Sequence, residues 1–179
     1  MKLLRTIRLD PSDTFVFRRA AEPGEWAVSG AFVFAGADPA ALEGKSRAAL
    51  RGGFLGVDTL GWSTLVQVVD ASADDRAAAI DMLARRLLEH FGAPDPASAK
   101  AAAEEEIAFA SSLCKDADGT VIAVSRSVEN GAIRETFRTL HPRGGTRPQH
   151  AYAFLEVDGE DEAPADEIDL NTLARGERG

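Results

Sequence analysis

The sequence predicts an α+β domain, a mostly antiparallel sheet of about five or six strands with three helices packed on one face. Three observations carry this. Alternating apolar runs cluster towards both ends of the chain, helical periodicities fill the middle, and Asn130-Gly131 joins two β-rich runs as a two-residue turn. A chain of 179 residues, 45% apolar and 27% charged, suits one globular domain. We place that domain at residues 1–157, ahead of an acidic tail at 158–179.

The first third reads as strands. Leu3, Ile7 and Leu9 alternate with Leu4, Thr6 and Arg8. Asp10-Pro11-Ser12-Asp13 is a turn cluster, so Phe15-Val16-Phe17 is expected as a second strand. After Glu22-Pro23-Gly24, a third is expected from Trp26 to Phe34, bulky on one face and small on the other. Asp38-Pro39 has the chemistry of a helix start, and Leu42, Ser46, Ala49 and Leu50 trace an inner face that Gly52-Gly53 ends. A glycine-rich loop leads to a strand expected over Trp62 to Val69.

Ser72 and Asp75 open the second helix in near capping-box spacing. Ile80, Leu83, Ala84, Leu87, Leu88 and Phe91 then recur at helical intervals until Gly92. Asp95-Pro96 starts a third helix that runs to about Lys115. Val121–Val128 and Ile133–Leu140 form the hairpin, and its tight turn fixes the register. Val128 faces Ile133, Arg126 faces Glu135, Val124 faces Phe137 and Ile122 faces Thr139. Tyr152 to Val157 completes the sheet as a last strand.

The formal charge of −9 is unevenly spread. From Glu156 onward nine acids and two arginines give −7, which leaves −2 for the body. A nearly neutral body lacks the clustered positive field that nucleic acid requires. No apolar run is long enough to span a bilayer, and Arg5 and Arg8 interrupt any signal-peptide core, so the expected address is the cytoplasm. The single Cys114 excludes an internal disulfide and falls on the inner face of the third helix, as packing. His90, His141 and His150 have no acidic or thiol ligand at metal spacing, and we expect neither metal nor cofactor.

No catalytic signature emerges. The loop Arg51–Asp58 lacks the G-x-x-x-x-G-K-[ST] pattern of a phosphate loop, and Ser63 lacks the second glycine of a nucleophile elbow. Arg126 and Glu135 are the informative irregularity, an opposite-charge pair set in an apolar stripe. Such a pair either sits at the sheet margin, contributing about 0.2–1 kcal/mol, or is desolvated beside a cavity, where losing one partner costs about 3–5 kcal/mol. A ligand pocket built from Asp58, Trp62, Arg126 and Glu135 is the small-molecule reading. In the tail, Ile168, Leu170 and Leu173 lie within an acidic stretch, a pattern suited to docking on a protein partner.

The stretches MKLLRTIRLD, EPGEWAVSGAFVF, GGFLGVDTLGW, EEEIAFASSLC and IRETFRTLHPR resemble a small bacterial family of unknown function, over Met1 to about Arg143. No catalytic or binding residue is implied by that resemblance. What it implies is an accessory role by association with molybdenum-dependent formate oxidation. The expectation is therefore a non-catalytic accessory or interaction protein, with a small-molecule-binding domain or an enzyme of unrecognised type as the alternative.

Overall fold

A computed structural model of the chain describes residues 1–142 and 155–158. The fold is α+β, with eight strands and four α-helices among these residues. It therefore has more strands and one more helix than the sequence predicts. The sheet order is β4-β3-β2-β1-β5-β6-β7-β8, and every pair of neighbouring strands is antiparallel.

The N-terminal strand β1 (Lys2–Ile7) is central, paired with β2 (Trp26–Val28) on one side and β5 (Leu65–Asp70) on the other. Leu3 and Leu4 point to opposite faces of β1 and both are buried, so the strand is covered on both sides. The expected second strand is instead a short helix, α1 (Ser12–Val16). The Asp13 carboxylate decides this, because it accepts hydrogen bonds from the Thr64 backbone N–H and hydroxyl. With Asp13 tied down and Phe17 buried, Phe15 and Val16 turn outward, against their β-propensity.

The strand expected from Trp26 stops at Val28. Gly30 adopts a left-handed conformation (φ 79°), and Ala31–Phe34 form a 3-10 turn. A side chain at Gly30 would also strike Leu55 and Trp62. Asp38 caps a single 3-10 turn at Pro39–Ala41 rather than the main helix, which restarts as α2 (Gly44–Gly52). The glycine-rich segment contributes β3 (Phe54–Gly56). Beyond it, the strand expected at Trp62 is split into β4 (Trp62–Ser63) and β5, with the Asp13-bound Thr64 between them.

Helix α3 (Ala73–His90) has the full capping box of Ser72 and Asp75, and α4 (Pro96–Ser112) is capped by Asp95. Ala99, Ala103, Ile107 and Ala110 give α4 a buried face in the main core, with α3 packed along it and β1 and β2 beneath. The hairpin of β6 (Val121–Glu129) and β7 (Ala132–Pro142) has the register read from the sequence at every pair, with Asn130 and Gly131 both at positive φ. The last strand, β8 (Leu155–Asp158), pairs with β7, and residues 152–154 of the expected strand lie outside the described residues. Ile168, Leu170 and Leu173 lie outside the described residues.

Candidate functional site

Arg126 sits on β6, three strands from β2 in the sheet order. On a flat sheet that separation is about 14 Å, beyond an arginine's reach. Yet its Nη2 donates to the Ser29 carbonyl at the end of β2, so the sheet curls to bring the two together. Nη2 also donates to Ser29 Oγ at 3.1 Å, and Nε donates to Glu135 Oε2 at 2.8 Å. Nη1 donates to the carbonyls of Gly53 (2.7 Å), Leu50 (3.1 Å) and Ala49 (3.4 Å), which close the C-terminal end of α2. The Ser29 hydroxyl in turn donates to Glu135.

The Arg126 side chain is 0% exposed and that of Glu135 17%. The sheet-margin reading of the pair therefore gives way to the desolvated one. Burial pulls the guanidinium below its ordinary pKa, and the Glu135 and Glu106 carboxylates oppose this. All five N–H groups find acceptors within the protein, which leaves none for an outside anion. The geometry is that of a brace joining α2, β2, β6 and β7.

Glu106, on α4, stands beside this brace and is not singled out by the sequence. Burial raises its pKa to about 7, with the neighbouring Glu135 and Glu105 carboxylates pushing the same way and Arg126 opposing. Only its place next to the buried Ile107 could have flagged it, within an acidic run that reads as a solvated face. Cys114 is half-buried. Its thiol donates to the Ala110 carbonyl, and burial pushes its pKa up to about 11, as befits packing rather than a nucleophile.

The four residues read as one pocket do not converge. Trp62 stacks on Phe34 and lies against Gly53, close to the Arg126 brace. Asp58 is 60% exposed and faces a different cavity, where it pairs with Arg86 at 3.2 Å. The loop carrying Asp58 is organised by Glu25, a residue the sequence does not flag. Its carboxylate accepts from the backbone N–H groups of Asp58 and Thr59 and from the Thr59 hydroxyl. Among the described residues no three His, Cys, Asp or Glu side chains are grouped to hold a metal ion. Nor, among the same residues, is any helix long and apolar enough to cross a membrane.

Another concavity, of about 470 Å³, is lined by Phe32, Val33, Leu87, Phe91, Pro94 and Ala102 where α3 turns into α4. Phe32 and Phe91 meet edge to face there, and Leu88 and Phe91 remain exposed beside it. Ser98 brings a hydroxyl to the lining, already engaged with the Asp95 carboxylate.

Fold and site together define a class: a curled antiparallel sheet backed by helices and locked by one buried arginine. The chain belongs to a family of unknown function, DUF6505, whose model matches residues 1–154. No curated protein and no solved structure matches it.

Proposed function

We propose that the protein is a non-catalytic accessory protein that binds another protein through the apolar concavity at the α3–α4 turn. The observation that carries this is the chemistry of that lining. Its side chains are apolar apart from a serine hydroxyl already paired with Asp95, so a polar metabolite would find few side-chain groups to orient it. Exposed Leu88 and Phe91 extend the surface outward, as an apolar segment of a partner would require. The Arg126 constellation supports the same reading, because its donors are spent on holding the fold. The resemblance drawn from the sequence associates the family with molybdenum-dependent formate oxidation, and a component of that system is the first partner to try.

Photocrosslinking in the native host tests this, with the photoreactive residue at Phe91 and, for comparison, at Phe15, the same residue type and more exposed. A discrete crosslinked protein at Phe91, lost when Leu88→Glu is added, is the expected result. Equal crosslinking at both positions, or none at Phe91, would overturn it.

A further inference from the structure

A cavity of about 550 Å³ opens between α2 and the tip of the β6–β7 hairpin. Arg47 and Arg51 stand one helical turn apart on α2 and both line it. Leu50, Pro39 and Val128 supply its apolar wall, and Val128 is 40% exposed. Asp38 and Arg126 are the other charged residues of the lining. Asp38, whose carboxylate accepts from the Ala40 N–H, offsets one of the two α2 arginines, and Arg126 is neutralised by Glu135, which leaves one positive charge. The net field at the mouth is therefore positive, in a chain whose formal charge is −9.

The course of the last strand directs the rest of the chain towards this cavity. Leu155 lies opposite Pro142 and Asp158 opposite Thr139, so β8 runs down β7 towards the hairpin tip. From Thr139 to Ala132 is seven residues of strand, about 23 Å at roughly 3.3 Å per residue. Residues 159–179 carry seven acids and two arginines. Ten residues beyond Asp158 stands Ile168, and an extended chain of that length reaches up to about 33–36 Å. The sequence at that distance, Asp166-Glu167-Ile168-Asp169-Leu170, alternates the two chemistries that the cavity offers, cationic rim and apolar wall.

We infer that the cavity between α2 and the hairpin tip is the docking site of this chain's own C-terminal segment. In this arrangement the carboxylates of Asp166, Glu167 and Asp169 meet Arg47 and Arg51, while Ile168 and Leu170 cover Leu50 and Val128. The docked segment would occupy the surface that any acidic partner of α2 would need, so it acts as an internal competitor.

Paramagnetic relaxation in the full-length chain tests the inference, with Cys114→Ser removing the native thiol and Thr172→Cys, beside the contact residues, carrying a nitroxide. The expected result is selective loss of the amide signals of Arg47, Arg51, Val128 and Gly131. These signals should return with Arg47→Glu/Arg51→Glu, and be lost again when Asp166→Arg/Glu167→Arg is added to that pair. The charge-swapped chain distinguishes a lost contact from a damaged helix. Absence of selective loss would overturn the inference, as would loss centred on Phe32 and Phe91. So would loss seen only when labelled and unlabelled chains are mixed, which would assign the occupant to a second copy.

Discussion

At the scale of single residues, Arg126 matters most. Its guanidinium stands in for the water that would otherwise satisfy the carbonyls at the end of α2, and it holds the β2 terminus at the same time. A buried pair of this kind is costly to break on one side, because the partner left behind is desolvated and unpaired. Arg126→Met should therefore lose about 3–5 kcal/mol of stability in urea titration, with Glu135 stranded beside Ser29. Arg126→Lys should recover little, since one ammonium cannot reach the acceptors that a planar fork serves. A Met variant as stable as the parent would mean that the pair is solvated. The pairing of Arg126 with Glu135 was legible in the sequence from the turn alone. Ser29 and the three carbonyls were not, because they come from distant segments and four of the five acceptor atoms they supply are backbone carbonyls without a sequence signature.

Among the elements, those with local causes are the ones the sequence reveals. The capping box fixes the start of α3, and two residues at positive φ fix every pair of the β6–β7 hairpin. Elements with distant causes escape it. Phe15-Val16-Phe17 is helical up to Val16 because Asp13 is held by Thr64, fifty-one positions away. The same bond accounts for the break between β4 and β5. The loop before β4 follows this rule too: Gly61 is there because the backbone of Ala20 and Ala21 passes too close for a side chain. An added Cβ would lie 2.5 Å from three of those backbone atoms. Gly61→Ala should then cost about 1–3 kcal/mol by forcing the two segments apart. Gly52→Ala, whose new Cβ would meet nothing nearer than 3.7 Å, should stay close to the parent in the same thermal melts.

For the whole molecule, Glu106 makes stability depend on pH near neutrality. A carboxyl whose folded-state pKa of about 7 exceeds its ordinary 4.5 holds its proton more tightly in the folded chain. Its contribution is full below the ordinary value and is lost as pH rises through about 7. Glu106→Gln should leave the melting temperature nearly unchanged at about pH 5 and raise it relative to the parent at about pH 8. Parallel pH profiles for the two chains would show that Glu106 is solvated.

The strand order has a consequence for how the chain is made. Strands β4 to β1 form one meander and β5 to β8 another, and the β1–β5 ladder is the seam between them. The helix α4 that covers β1 and β2 is encoded after that seam, so the first meander leaves the ribosome before its cover exists. Until Ala103 and Ile107 emerge, the face of β1 and β2 that α4 covers has no helix to pack against. The nascent chain is thus most exposed to aggregation after its first strands have been synthesised, and synthesis of the α3–α4 pair ends that interval.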